Sequence, residues 1–274
     1  MTLLNALLGR TLDVLLSPFR SLPPIVGLSV VSLVTALGVV LAYRTTSNQH
    51  GLADVKRRMA AALFEIRLFS DDLPAVFRAQ AELLRHNLTY LRLSLVPMLW
   101  MIVPIAILVA QLDARYGYVG LKTGEPVLLK VALRDGTAAT GGTATLEAPK
   151  DVSVLTPAVW FPASNEIVWR IRPEAQGEYE LTARVGNESL TKSIEATGRV
   201  VRRAPVRVAP GFSEEFMNPA ERPLPSGAAA TAISVPYPRR TFRILRWDAD
   251  WLVVFFIVST LFAFVLKKPF GVTV

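Results

Sequence analysis

The chain has 274 residues, no cysteine, a formal net charge of +8 and 51% hydrophobic residues. The missing cysteines exclude disulfides, thiolate metal sites and cysteine nucleophiles. A mean hydropathy of +0.38 is high for a purely soluble protein, so the distribution of apolar residues along the chain decides its class.

Residues 1–22 are predicted to form an amphipathic interfacial helix, because leucines from Leu3 onward and Phe19 recur at helical spacing. Prolines from Pro18 to Pro24 then break the helix. A helix packed on a soluble core is the alternative. No small-x-small cleavage pattern follows, so we expect the N-terminus to be retained.

Three stretches lack Asp, Glu, Lys and Arg: residues 25–43, 93–112 and 251–266. The first two match a hydrocarbon core of about 30 Å, and the third reaches that length with flanking tryptophans and lysines. We therefore predict three transmembrane helices, and a buried helix of a soluble protein remains the alternative for each. Their expected bounds are 23–43, 95–112 and 247–268, followed by a short cytoplasmic tail at 269–274.

Residues 44–94 carry two apolar heptad seams, which predict an antiparallel coiled-coil hairpin. The second seam continues into the second apolar stretch, so residues 74–112 are expected to form one helix, kinked near Pro97 or Pro104. A generic helical linker is the alternative. The seams are Leu52, Val55, Met59, Ala62, Ile66 and Phe69, then Phe77, Ala81, Leu84, Leu88, Leu91 and Leu95.

Residues 113–208 change to short β-branched runs separated by turn residues, which predicts an all-β domain resembling an immunoglobulin-like sandwich. A hairpin is expected to turn at Gly186-Asn187, and Trp160 and Trp169 are candidate core aromatics. The proline-rich, basic residues 209–246 are predicted to be an extended linker. The strands are expected at 127–133, 143–147, 166–171 and 178–185.

Charge predicts the orientation. The hairpin segment holds eight Lys or Arg and the N-terminal segment two, so the positive-inside rule places the hairpin in the cytoplasm, with the N-terminus and β-domain outside. The expected location is a bacterial inner membrane. The basic segment 199–246 lacks a nucleic-acid reading module, and anionic lipid headgroups or simple solvation are expected for it instead.

No residue pattern indicates catalysis. His50 and His86 are isolated, and no metal-ligand spacing, nucleophile elbow or phosphate-binding loop is present. Asp71 and Asp72 suit a helix start better than an acid pair. We therefore expect no enzyme activity, catalytic residue, cofactor or metal.

Mild polarity inside the apolar stretches gives the candidate site. Ser29, Ser32 and Thr35 step by three along the first stretch. Such hydroxyls either bond their own helix or line a groove that admits a hydrophilic segment.

This order of elements resembles the core of the Oxa1 superfamily of membrane-protein insertases, including YidC and the compact insertase subunit of the ER membrane complex. The resemblance rests on residues 3–19, 25–44, the two seams, Leu95-Val96-Pro97-Met98 and residues 251–266. It implies a hydrophilic intramembrane groove containing a basic residue, for which Arg44 is the nearest match.

Two functions follow. The first is an insertase-like protein or membrane chaperone that handles apolar segments of nascent client proteins, with Ser29, Ser32, Thr35 and Arg44 lining its groove. The second is a non-catalytic membrane-anchored subunit whose external sandwich binds a partner protein or glycan.

Overall fold

The computed structural model describes residues 2–69, 71–134, 144–244 and 246–272, with side chains from residue 5 onward. The chain forms two compact units, the first made of Met1–Leu28 and Ile107–Val254 and the second of Ser29–Ala106 and Phe255–Val274. We call the first the β-rich unit and the second the helical unit. The helices are α1 (Thr2–Leu16), α2 (Pro24–Thr46), α3 (Gln49–Leu68), α4 (Leu73–Tyr116), α5 (Phe212–Met217) and α6 (Trp251–Lys267).

Antiparallel sheets build the β-rich unit. One sheet has the strand order β3-β5-β1-β9-β8, with β4 also paired to β5, a second has the order β2-β6-β7, and β10 pairs with β11. The strands are β1 (Val127–Leu133), β2 (Ala144–Glu147), β3 (Val152–Val154), β4 (Val159–Phe161), β5 (Glu166–Pro173), β6 (Gly177–Val185), β7 (Glu188–Ala196), β8 (Val206–Val208), β9 (Ala230–Ser234), β10 (Thr241–Ile244) and β11 (Trp247–Asp250).

The two larger sheets contribute to one hydrophobic core. Alternate residues of β1 and of the second half of β6 face inward, and Val131 of β1, Trp169 of β5 and Leu181 of β6 are buried in the same cluster. Trp160, the other candidate core aromatic, is exposed on β4. The predicted hairpin is confirmed: β6 and β7 meet at Gly186-Asn187, and Gly186 has the positive φ of 59° that a two-residue hairpin turn uses.

Residues 209–246, expected to be an extended linker, are instead part of the folded unit. Strand β9 lies between β1 and β8, so it is internal to the larger sheet. Leu224 and Ile233 are buried in the core. The Lys192 ammonium, itself buried on β7, pairs with Glu221 and ties the segment to the smaller sheet. The high proline content does not predict strand β9, because a strand of five residues fits between two successive prolines of the segment.

Two consecutive helices, α3 and α4, lie where the hairpin was predicted, and a cap marks the start of each. The Asn48 side chain accepts a hydrogen bond from the backbone N–H of Gly51 at 2.8 Å, and Asp72 accepts one from the N–H of Ala75 at 3.3 Å. From Leu73 the helix α4 continues for 44 residues through Pro97 and Pro104, a length of about 66 Å. Near its middle, the ring of Tyr90 lies 5.6 Å from the ammonium of Lys56 on α3.

The second predicted seam faces outward, which corrects the sequence-based assignment. On α3 the predicted seam is the inner face, with Leu52, Val55 and Ala62 buried. On α4 the less exposed line begins at Val76 and includes the buried Ala79. It also repeats at heptad spacing, and its members Val76, Leu83 and Tyr90 each lie one residue before a member of the predicted seam. Spacing alone does not select between two such lines, and the small Ala79 allows the closer approach.

The third apolar helix begins later than expected, because Trp247 belongs to strand β11 and α6 starts at Trp251. The carboxylate of Asp113, near the end of α4, accepts a hydrogen bond from the Trp251 indole at 3.2 Å and pairs with Arg239 at 3.0 Å. Asp250 caps α6 by accepting from the N–H of Leu252 at 2.8 Å. The end of α4 and the start of α6 are thus joined through one carboxylate.

Helix α1 is held within the β-rich unit by polar contacts. The buried Arg115 guanidinium, near the end of α4, pairs with Asp13 at 2.7 Å and donates to the carbonyl oxygen of Gly9 at 2.9 Å. The Asn5 amide donates to the carbonyl oxygen of Glu215 at 3.1 Å and accepts from Gln111 at 3.1 Å. These bonds fix α1 to α4 and to the segment containing α5.

We predict that Asp13→Asn lowers the free energy of unfolding by about 1–3 kcal/mol, because it leaves a buried guanidinium without its counter-charge. The matched control is Asp54→Asn, since Asp54 forms exposed ion pairs with Arg57 and Arg58 on α3 and should change stability by less than about 0.5 kcal/mol. Denaturant unfolding of the purified protein in detergent measures both variants. Equal stability of the two would contradict the assigned role of the Arg115 contact.

Candidate functional site

The helical unit contains a groove between α2, α4 and α6 with a volume of about 490 Å³. Its wall is mostly aliphatic and aromatic, and one end holds a lysine. The lining residues are Val39, Val40, Tyr43, Tyr90, Leu91, Ser94, Leu95, Met98, Met101, Thr260, Ala263, Phe264, Lys267 and Val272.

An exposed apolar stripe on α4 leads into this groove. The stripe consists of Phe77, Leu84, Leu88, Leu91 and Leu95, which share one face at heptad spacing. Phe77, Leu84 and Leu88 expose 67%, 63% and 60% of their surface. Leu91 and Leu95 belong to both the stripe and the groove wall. The two features therefore form one continuous apolar track, which begins on the hairpin and ends between the three helices.

A few polar groups line the groove. The hydroxyl oxygen of Ser94 is buried and has no hydrogen-bond partner within the described residues. The Lys267 ammonium lies 4.5 Å from the centroid of the Phe264 ring, in reach of a cation–π interaction. A segment inside the groove would therefore meet a mostly apolar wall with one positive charge at one end.

The four residues predicted for the groove lie elsewhere on α2. Ser32 is buried and its hydroxyl has no partner in the described part of the chain, whereas Ser29 is half-buried. Thr35 donates to the carbonyl oxygen of Val31 at 2.7 Å, so its hydroxyl is satisfied within its own helix. Arg44 is exposed. The groove wall takes Val39, Val40 and Tyr43 from this helix instead, and the role proposed for the four stays a prediction.

From the sequence, Lys267 is predicted only to anchor the end of the third apolar stretch. The structure places it in the groove wall. The sequence could have indicated this through spacing, because Lys267 lies about one turn beyond Phe264 on the same face of α6. Which helices face that side chain depends on packing, and spacing does not contain that information.

Among the described residues, the carboxyl group whose pKa is shifted furthest is that of Glu195, which lies in the β-rich unit. Burial raises the pKa of Glu195 to about 8, and Glu178 raises it further, while Arg203 and Lys192 oppose the shift. Its backbone N–H donates to the Tyr237 hydroxyl at 2.8 Å. Among the described residues no group of three or more His, Asp or Glu side chains is placed to hold a metal ion.

No protein family, curated protein or solved structure matches the chain. Its function is therefore inferred from geometry and chemistry.

We predict that stability falls as pH rises from about 4.3, where a glutamate in an unfolded chain titrates, to about 8, where Glu195 titrates in the fold. In that window the unfolded chain has released the proton that the folded chain retains. Glu195→Gln removes this fall because an amide does not ionise. Thermal unfolding between about pH 5 and 9 measures it.

The control for this prediction is Glu180→Gln, at an exposed position of β6, which should keep the wild-type slope. An equal slope in wild type and Glu195→Gln would show that Glu195 does not hold its proton in the fold.

Proposed function

We propose that the protein crosses a lipid bilayer three times, through α2, the second half of α4 and α6. Helices α2 and α4 are long and apolar enough to cross, and α6 is a shorter apolar helix of 17 residues. In the most apolar stretch of α4 only 6% of the residues are buried. The core helix of a soluble protein would bury most of such a stretch, and soluble proteins rarely expose so large an apolar surface.

The packing of α1 supports two crossings between the N-terminus and the β-rich unit. Asp13 lies before α2 and Arg115 lies after the apolar part of α4, and the two form an ion pair. Both chain ends of the segment from α2 to α4 are therefore on one side of any membrane that this segment crosses. An even number of crossings satisfies that condition, and α2 and α4 supply two.

The proposed orientation puts the hairpin of α3 and α4 in the cytoplasm, with α1 and the β-rich unit outside a bacterial inner membrane. The eight basic residues of the hairpin segment favour this orientation through the positive-inside rule. Helix α6 then returns the chain to the cytoplasmic side, where Lys267 and Lys268 are expected at the headgroup level.

We propose that the protein is insertase-like, a membrane chaperone for apolar segments of client proteins. The observation that carries this proposal is the continuous track formed by the stripe and the groove. Each leucine of the stripe would gain about 1.5–3 kcal/mol on full burial, so an apolar segment that covers several of them binds favourably. The track then offers that segment an apolar surface on the way from the cytoplasm into the membrane.

The groove chemistry also suits the passage of a polar flank. An unsatisfied polar group in hydrocarbon costs several kcal/mol, which is the main barrier to moving the flank of a client across. Lys267 lines the groove and provides a charge near its proposed cytoplasmic end. Water or an acceptor group on the client would satisfy the Lys267 ammonium.

The resemblance to the Oxa1 superfamily supports the same proposal. The order of an N-terminal helix, an apolar helix, a helical hairpin and two further apolar helices is present in the chain. The implied basic residue of the groove is better matched by Lys267, which lines the cavity, than by Arg44, which is exposed. The β-rich unit between the last two helices is an addition to that order.

We predict that a photocrosslinking amino acid at Leu84 or Met98 captures short-lived nascent membrane proteins in translating cells. Leu84 represents the stripe and Met98 the groove. Glu82 is the matched control, because it is exposed on the same helix about 200° away from Leu84. We expect strong crosslinks to nascent chains from the first two positions and weak ones from Glu82.

Two outcomes would contradict the insertase proposal. The first is equal crosslinking of nascent chains from Leu84 and Glu82, which would show that the stripe has no selectivity. The second is the absence of nascent-chain crosslinks together with a single stable adduct from Trp160 on the β-rich unit.

The second outcome would favour the other candidate function, a membrane-anchored subunit whose immunoglobulin-like β-sandwich binds a partner outside the membrane. A specific observation favours this candidate. Around a surface depression of about 400 Å³ on the larger sheet, several large apolar side chains are exposed. They are Leu128, Val159 and Phe161.

A further inference from the structure

A second cavity lies in the β-rich unit, beside the segment that connects α1 to α2. Its volume is about 590 Å³, and the connecting segment contributes Ser17, Arg20 and Ser21 to its wall. The start of β6 and the segment after β7 supply the rest of the wall, which is Gln176, Gly177, Glu178, Thr197, Arg199 and Val201.

The cavity wall is rich in donors for an anionic group. The side chains of Arg20 and Arg199 are exposed, and neither forms an ion pair with a described residue. Ser17, Ser21 and Thr197 add hydroxyl groups. Guanidinium groups bind phosphate oxygens through paired, charge-assisted hydrogen bonds, and hydroxyls complete such sites. Glu178 is the one acidic residue of the wall, so the three charged side chains sum to a single positive charge.

The position of the cavity favours a lipid phosphate over a soluble one. An adjoining cavity of about 460 Å³ shares Arg20 and Arg199 and extends to Leu22 and Pro24, where α2 begins. Leu22 and Ile25 expose apolar surface at the same point. Once α2 spans the bilayer as proposed above, this point lies at the headgroup level, with the two apolar side chains directed to the acyl region.

We propose that this cavity binds the phosphate group of a membrane phospholipid in the outer leaflet, through Arg20 and Arg199. Leu22 and Ile25 contact the acyl chains of the bound lipid. The inference rests on α2 as a membrane span, but it does not depend on client handling. A bound lipid at this place connects α1, the start of α2 and the end of β7.

Native mass spectrometry of the full-length protein, released from detergent micelles, tests the site. The probes are phosphatidylglycerol, diacylglycerol with the same acyl chains, and inorganic phosphate. We expect the wild-type protein to retain phosphatidylglycerol. It should not retain diacylglycerol that is added in place of phosphatidylglycerol. The double variant Arg20→Gln/Arg199→Gln should bind phosphatidylglycerol about tenfold more weakly, because two charge-assisted contacts are lost.

Two further variants separate a local charge effect from a general one. Glu178→Gln removes the carboxylate beside the site and should strengthen retention of the anionic lipid, opposite in sign to the arginine variants. Arg170→Gln, at an exposed position of β5 away from this cavity, should leave retention unchanged. Thermal unfolding confirms that every variant folds, as the exposed positions lead us to expect.

Unchanged retention in the double variant, or equal retention of diacylglycerol and phosphatidylglycerol, would overturn the proposal. Inorganic phosphate that displaces the lipid completely would also overturn it, because the site would then serve a soluble phosphate. The lipid variants should not change photocrosslinking from Leu84. Failure of the lipid proposal is therefore distinguishable from failure of the insertase proposal.

Discussion

The ion pair between Asp13 and Arg115 is the constraint on which the rest of the account depends. It fixes the helix before the first apolar stretch to the end of the second, with Gly9 and Gln111 supplying further bonds to the same guanidinium. A buried guanidinium is costly to leave unpaired, so this contact opposes any arrangement in which α1 and the β-rich unit are separated. The proposed even number of membrane crossings between α1 and the end of α4 follows from it, whereas the side proposed for the hairpin rests on charge.

The exposed face of α4 is the structural feature that most supports the proposed function. This helix has two lines of residues at heptad spacing. The line through Ala79 is the less exposed one, whereas the line through Leu84 is exposed and continues into the groove. A hairpin designed only to connect two spans would gain stability by placing polar residues on its outer line. An apolar outer line is instead typical of a surface that contacts another protein or a membrane.

Much of the fold could be predicted from the sequence, because it depends on local signals. Apolar length located α2, turn chemistry located the β6/β7 hairpin, and the acidic start placed α4. The failures involve long-range pairing. Strand β9 was missed because its five residues pair with β1 about a hundred positions earlier, and the outward face of α4 was misassigned because both of its lines repeat at heptad spacing. The groove residues proved least predictable, since three helices define the groove together and each helix alone presents several similar faces.

Cysteine accessibility in intact cells tests the central claim, the double crossing between α1 and the β-rich unit, most directly. Because the chain has no cysteine, single substitutions at Thr11, Ser164 and Glu65, all exposed, give unambiguous labels on α1, the β-rich unit and the hairpin. A membrane-impermeant maleimide applied from outside should label the first two positions in intact cells and the third only after the membrane is permeabilised. Labelling of Glu65→Cys and Ser164→Cys from the same side would contradict the account.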